Sequence, residues 1–323
     1  MEALVPALSY GVFFLTFAAI FAVIVLGLNL QWGFTGLFNV GVAGFVAVGA
    51  YTSAILTAPP YPESLGGFGL PVAAGWLGAM AMGALVGLAV GVPALRLRHD
   101  YLAIATFGVA VTLQLVALNA RWLTGGPFGL HFIPRPMQGW LGAGLAWNAA
   151  YLALALGVLL TAYLAIERLV GSPWGRVLRA IREDETAAEA LGKRAFAFRL
   201  QAFVIGCALM GLGGALYAHF VAYIAPEDFL PILTFQLWTM LIVGGAGNNR
   251  GAILGAFVVW LVWSLSGGAI RAVLPQAEQA RGAALQVVLV GVLLVAMLIW
   301  RPSGLLGERL RGGDKPKPDE RAG

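Results

Sequence analysis

Polar positions are rare along this chain, and where they occur they cluster. Between the clusters run nine apolar stretches, at 7–30, 33–58, 71–92, 101–119, 147–166, 200–219, 232–247, 251–266 and 284–300. Most approach the roughly 20 residues that a helix needs to cross the hydrocarbon of a bilayer. A surface helix of a soluble protein carries apolar residues on one face only, whereas these stretches are apolar around the whole helix, as in a membrane bundle. The pattern predicts an all-α, polytopic integral membrane helical bundle of about eight to ten transmembrane helices. The second stretch holds Gly33, Gly36, Gly41 and Gly44, so it reads either as one straight span or as a short re-entrant turn followed by a helix. The seventh and eighth are short and separated only by Asn248, Asn249 and Arg250.

One segment breaks the apolar rule, GSPWGRVLRAIREDETAAEALGKR from Gly171 to Arg194. Ser172 stands where a helix cap is expected, Pro173 suits the first helical position, and Gly192 can close the helix. Val177, Leu178, Ile181, Ala188 and Leu191 recur every three or four residues, with Arg176, Arg179, Arg182, Glu183 and Glu189 among them, which makes the segment amphipathic. Arg179 with Glu183, and Glu189 with Lys193, have the spacing of helical ion pairs. The acids Glu183, Asp184 and Glu185 leave open whether this is one helix or two meeting at an angle. A solvated hairpin and a docking element for a soluble partner both fit the pattern.

Composition supports the membrane assignment. Of 323 residues, 60% are apolar and 11% charged, there are 44 glycines, and mean hydropathy is +0.85; soluble domains carry about a quarter charged residues. A net charge of +5 suits a protein beside an anionic leaflet and makes no case for nucleic acid. No cleavable signal peptide is expected, because the first residues lack a basic region and the first apolar run is long enough to span. Basic residues favour the cytoplasmic side of a membrane. They gather at 167–199, after Trp300, and at Arg96 and Arg98, while 59–70 and 220–231 contain none. Nine crossings then place the amino terminus outside and the carboxyl terminus inside, with Arg121, Arg135, Arg271 and Arg281 on the outer side.

The chemistry that is missing narrows the function. No Asp or Glu falls in the middle of an apolar stretch, so the chain offers no titratable relay of the kind proton-driven transporters retain. Sodium coupling through backbone carbonyls stays open. None of the three lysines sits in a phosphate-binding loop, so any ATP, with its Mg, is expected on partner ATPases and no cofactor on this chain. The histidines His99, His131 and His219 are scattered and suggest no metal site and no catalytic group. Cys207 stands alone, so no disulfide can form within the chain. Gly83, Gly87 and Gly91, like Gly247, Gly251 and Gly255, recur every four residues, a close-packing face. Candidates for a translocation path are the polar or small groups Asn39, Gly41, Gly44, Thr106, Gln114 and Gln236; each could equally be a helix-to-helix contact.

Six stretches carry a family resemblance, in order along the chain: LNLQWGFTGLFNVGVAGFVAVGAYTSAIL from Leu28, PALRLRHDYLAIATFG from Pro93, TGGPFGL from Thr124, the charged segment with the following RLQAFVIGCALMGLGGALYA, IVGGAGNNRGAILGAF from Ile242, and LIWRPSGLLG from Leu298. Together they resemble the permeases of branched-chain amino-acid ATP-binding-cassette (ABC) importers, and among these the longer of the two permease subunits. The chain departs from the family's usual residues at Asn39, Val42, His99, Val111 and Gln114. The resemblance implies a type II-like ABC importer permease in the bacterial inner membrane. It implies a transmembrane domain at 1–305, with a cytoplasmic coupling loop at 167–199, and a disordered cytoplasmic tail at 306–323. It further implies a homologous second permease subunit, two soluble ABC ATPase subunits, a periplasmic or lipid-anchored solute-binding protein, and surrounding lipid. The ATPase-coupling residues would be Trp174, Gly175, Arg176, Arg179, Arg182, Glu183, Asp184, Glu185, Glu189 and Gly192. Thr124, Gly125 and Gly126 would help dock the binding protein. The cargo would be branched-chain or other hydrophobic amino acids, with urea, short amides or small aromatic acids as alternatives. An ion-coupled secondary transporter is the alternative from another class.

Overall fold

The computed structural model describes residues 4–60, 66–97, 99–142, 144–273, 275 and 278–308. Thirteen α-helices follow one another: α1 (Leu4–Gln31), α2 (Val42–Thr57), α3 (Val72–Ala94), α4 (His99–Asn119), α5 (Arg121–Thr124), α6 (Gln138–Leu141), α7 (Leu145–Gly171), α8 (Pro173–Glu183), α9 (Glu185–Ala190), α10 (Ala195–Val221), α11 (Pro231–Gly244), α12 (Asn249–Val273) and α13 (Gln279–Trp300). Short 3-10 turns lie at Gly126–Phe128 and Pro226–Phe229. Among the described residues, extended pairing is confined to one antiparallel bridge between Leu130 and Ile224. Six helices are long and apolar enough to cross a membrane, and α2, α11 and the 284–300 part of α13 are shorter apolar helices. These nine overlap the nine apolar stretches one for one.

The second stretch is a re-entrant turn followed by a helix. Residues 32–41 are irregular, Gly36 has φ +73°, and α2 begins only at Val42. With 16 residues, α2 is about 24 Å long at 1.5 Å per residue and falls short of a straight crossing. The α11–α12 connection also turns on glycine, with Gly245 at φ +107° and Gly247 at φ +81°. Against expectation, α12 runs on to Val273, which places Arg271 in its last turn.

Two helices form the centre. Within α1, residues 16–31 are almost entirely buried, and α10 is buried over more than half its apolar length. The helices around them repeat one arrangement twice. α2 packs along α3 as α11 packs along α12; α10 lies in the groove of α2 and α3, while α1 lies against α12 and α11; α1 and α10 cross each other. Each half thus inserts its long first helix into the other half's pair, the pattern of internal repeats in transporter folds. The glycine stripes serve this packing, except that Gly247 lies in the α11–α12 turn, where a Cβ would meet Glu308 instead of a neighbouring helix. A Cβ on Gly83 would stand 2.7 Å from the Cys207 carbonyl of α10, and one on Gly255 would stand 2.6 Å from the Gly244 nitrogen of α11. The charged segment leaves the bundle at the end where α7 stops and α10 starts.

Candidate functional site

The charged segment is two helices. α8 stops at Glu183, Asp184 takes an extended conformation, and its carboxylate accepts a hydrogen bond from the Ala187 amide at 2.9 Å, capping α9. An Asp at this position fixes a helix start and so breaks the run. Ser172 occupies the cap position of α8, but its hydroxyl donates back to the Leu169 carbonyl of α7 at 2.6 Å. Gly192 closes α9 at φ +77°. Neither expected helical ion pair is among the described contacts. Arg179 instead donates to the Val170 carbonyl at the end of α7, 3.3 Å away, where a cation also meets the negative helix terminus.

The ten coupling residues divide by face. Gly175 packs on Val170, Trp174 donates through its indole to Gln201 of α10 at 2.8 Å, and Glu185 accepts from a single Arg199 nitrogen, Nη1, through both carboxylate oxygens at 2.8 and 2.9 Å. Arg199 is buried and went unremarked in the sequence, where it reads as one more basic residue at a span boundary. Arg176, Glu183, Asp184, Glu189 and Gly192 face outward beside the exposed Leu191.

Arg182 turns inward and reaches farthest. One guanidinium nitrogen, Nη1, donates to the Gly33 carbonyl and the other, Nη2, to both carboxylate oxygens of Glu308 at 2.9 and 3.0 Å. Charge-assisted bonds of this kind are stronger than neutral ones, and the two arms of the guanidinium tie Gly33 to Glu308. Glu308 is there because residues 303–308 fold back on the α11–α12 turn, with the Leu305 and Leu306 amides donating to the Val243 and Gly244 carbonyls at 2.8 and 3.0 Å. The first three residues of the expected tail are therefore packed; 309–323 lie outside the described residues.

Gly33 opens the irregular loop 32–41, where the path candidates gather. Asn39 is fully buried. Its amide donates to Gln31 at 2.9 Å, its side-chain oxygen accepts from the Gly41 amide at 2.8 Å, and its carbonyl accepts from the Trp238 indole at 3.0 Å. Gln31 in turn donates to the Phe203 carbonyl of α10 at 2.8 Å. Thr106 of α4, also fully buried, accepts from the Val40 amide at 3.0 Å. No side chain fits at Gly41, where a Cβ would meet the Thr106 carbonyl, and Gly44 sits 2.7 Å from Ala110 by the same measure. Asn29 accepts from the Gly247 amide and donates to Asn249, both at 2.9 Å, and Asn249 donates to Glu167 of α7 at 2.9 Å. Gln114 stands apart from this network, in a narrow crevice between α2, α4 and α11. Gln236 lines a different space, a cavity of about 390 Å³ among α1, α11 and α12.

At the opposite end, Thr124 is buried and hydrogen-bonds the Ala117 carbonyl at 2.6 Å, while Gly125 and Gly126 make the turn at φ +74° and +62°. These three residues shape the loop from within, and the surface belongs to their neighbours Trp122 and Phe128. The loop is laced to the α10–α11 connection. Leu130 and Ile224 exchange backbone bonds of 2.9 and 3.1 Å, Arg135 donates to the Val221 carbonyl at 3.2 Å, and the His219 ring lies between the Pro134 carbonyl and the Ser53 hydroxyl at 2.7 and 2.8 Å. Asp228 accepts from the Ala225 amide at 2.8 Å and so closes the 3-10 turn. Burial raises its carboxyl above the usual range, a shift partly offset by that amide and the Tyr217 hydroxyl.

Comparison with known proteins shows the family of the chain. Residues 10–298 match the family model described as branched-chain amino acid transport system / permease component. The chain is 34% identical over 314 residues to the high-affinity branched-chain amino acid transport system permease protein LivM of Escherichia coli K12, covering 90% of this chain and 68% of that one. It is 28% identical over 328 residues to the probable branched-chain amino acid transport permease protein LivM of Methanocaldococcus jannaschii, covering 90% and 91%. It is 25% identical over 311 residues to the permease protein LivH of Salmonella typhimurium, covering 90% and 92%. No solved structure gives a significant match.

Proposed function

The chain belongs to the family of permease components of branched-chain amino acid transport systems, and on that premise we propose how it works as the membrane-spanning permease subunit of an ABC importer. It moves branched-chain or other hydrophobic amino acids inward by alternating access, paired with a homologous second permease. The basic end of the bundle faces the cytoplasm, with the amino terminus outside and the carboxyl terminus inside, a reading supported by the distribution of Arg and Lys. Two soluble ATPases, which bind ATP and Mg, grip the outward face of α8 and α9 at Arg176, Glu183, Glu189 and Leu191. A solute-binding protein meets the opposite end around Trp122 and Phe128.

One observation carries this mechanism: the guanidinium of Arg182 joins α8 to the Gly33 carbonyl and to Glu308. A displacement of α8 by the ATPases reaches the loop 32–41 through this fork, and the loop closes or opens the inner end of the path. The remaining inward contacts, Trp174 with Gln201 and Glu185 with Arg199, make α8, α9 and the start of α10 move together. Arg182 is therefore a positioning residue for the inner loop, and it does not touch the ATPase.

The test is Arg182→Ala in the complete complex reconstituted in vesicles. The ATPases should still assemble on it and hydrolyse ATP, while leucine imported per ATP falls by about tenfold, since an interaction worth roughly 1.4 kcal/mol is a factor of ten. Arg182→Lys keeps the charge but loses the fork and should fall between. Unchanged solute per ATP in Arg182→Ala sinks the mechanism.

A further inference from the structure

Where α7 and α12 meet at the charged end of the bundle, two opposite charges stand near each other without pairing. Arg250, the second residue of α12, gives its Nε–H to the Tyr163 hydroxyl of α7 at 3.1 Å. Glu167, one turn beyond Tyr163, accepts through Oε2 from the Asn249 side-chain amide at 2.9 Å. Among the described residues no ion pair joins Arg250 to Glu167. Each is fixed by a neutral neighbour, so the two terminal guanidinium nitrogens and Oε1 of the carboxylate have no partner among the described residues. Both residues are exposed and lie just outside the apolar stretches 147–166 and 251–266, where a bundle meets lipid headgroups. An apolar groove of about 550 Å³ leads away from them, lined by Tyr163, Arg250, Ile253, Leu254, Phe257 and Leu306. Ile253, Leu254 and Phe257 follow Arg250 by three, four and seven positions and so share one face of α12. At 1.5 Å per residue that face runs about 10 Å from the guanidinium into the apolar stretch.

We propose that this groove is a binding site for a phospholipid with a primary-ammonium headgroup, phosphatidylethanolamine. Its phosphate accepts from Nη1 and Nη2 of Arg250, its ammonium donates to Oε1 of Glu167, and one acyl chain lies along Ile253, Leu254 and Phe257. The planar guanidinium matches phosphate oxygens, and basic pockets between membrane helices are suited to lipid headgroups. Glu167 decides which headgroup fits. Phosphatidylglycerol has no cation for the carboxylate, and phosphatidylcholine has a cation without an N–H to donate. The site lies on the outer surface of the bundle and is independent of the cargo.

The experiment titrates the complete complex, purified in detergent, with phosphatidylethanolamine, phosphatidylcholine and phosphatidylglycerol of identical acyl chains, and counts bound lipid by native mass spectrometry. The tightest site should prefer phosphatidylethanolamine to each of the others by about fivefold, the upper end for an ion pair at an exposed position. Glu167→Gln removes the charge while its side-chain oxygen can still accept from Asn249, and should abolish the preference without lowering the affinity for phosphatidylcholine. Arg250→Gln removes the phosphate contact and should weaken all three lipids by about fivefold. Both residues are exposed, so both variants should fold as the wild type does. Equal affinity for the three lipids in the wild type overturns the site, as does an undiminished preference in Glu167→Gln. Phosphatidylglycerol held tightest marks Arg250 as a bare anion site and overturns the zwitterionic assignment. Lipid binding unchanged by Arg250→Gln means that another subunit covers the groove, and the proposal falls.

Discussion

The loops 32–41 and 222–230 occupy corresponding places in the two halves of the bundle, each leading from a long central helix into a short one, yet they are held in opposite ways. The first is held by side chains: Asn39, Gln31, Thr106, Trp238 and Arg182 all place polar atoms on it or from it. The second is held by backbone exchange with Leu130 and by Asp228 closing its own turn. A buried side-chain network is costly to disrupt in part, because each deserted group remains buried and unpaired. A short backbone bridge parts with less loss, since it carries only the two bonds between Leu130 and Ile224. The difference teaches where work must enter: the outer loop can yield to a docking protein, whereas the inner loop needs the stroke delivered through Arg182.

Asn39→Ala tests the comparison most severely. It leaves the Gln31 oxygen and the Gly41 amide without their partner, at roughly 1–3 kcal/mol for each buried group. In a protein of this size each kcal/mol lowers the melting temperature by about 2–4 °C, so a drop of several degrees is expected in purified protein, with uptake lost. Leu130→Pro makes the matching cut at the outer end by removing one donor of the bridge to Ile224. About 1 kcal/mol is at stake there. Hydrogen exchange should speed up at 222–225 and stay unchanged at 33–41, and uptake should fall only a few-fold. If Leu130→Pro destabilises the protein as much as Asn39→Ala, the two loops are not differently held.

How much of this could be read from the chain follows from what kind of signal each feature leaves. The spans were legible because nine apolar stretches in a chain so poor in charge have few other uses. The break at Asp184 and the turn at Gly36 were legible only as one of two alternatives each, because capping acids and clustered glycines act locally but do not by themselves decide between a bend and a continuous helix. Asn39 and Thr106 stood out as polar residues in apolar surroundings. Arg182 was visible as charged, but its partner Glu308 lies 126 positions away and has no periodic relation to it. The expected Arg179–Glu183 pair failed for a related reason: helical spacing permits it, but the carboxyl end of α7 offers Arg179 a better-placed acceptor. The Leu130–Ile224 bridge joins main-chain atoms of residues whose side chains announce nothing, and the exchange of α1 and α10 between halves is a property of packing alone.

The smallest expected effect on stability separates the two faces of the charged segment, and with them the inner end's two tasks. Arg179→Ala removes the bond to the Val170 carbonyl and should cost about 1 kcal/mol of stability, while leaving the outward face intact. Glu183→Ala removes an exposed carboxylate whose described contact is Arg182 at 3.8 Å, with its own side chain 69% exposed. Exposed pairs contribute little, so its melting temperature should match the native protein within the equivalent of about 0.5 kcal/mol. Its effect belongs to the partner: retention of the ATPases during purification should weaken, more so when Glu189→Ala is added, and with a salt dependence that Arg179→Ala lacks. Should Arg179→Ala release the ATPases while Glu183→Ala with Glu189→Ala keeps them, the outward face of α8 and α9 is not where they bind. The stroke would then have to reach Arg182, and through it the inner loop, from α7.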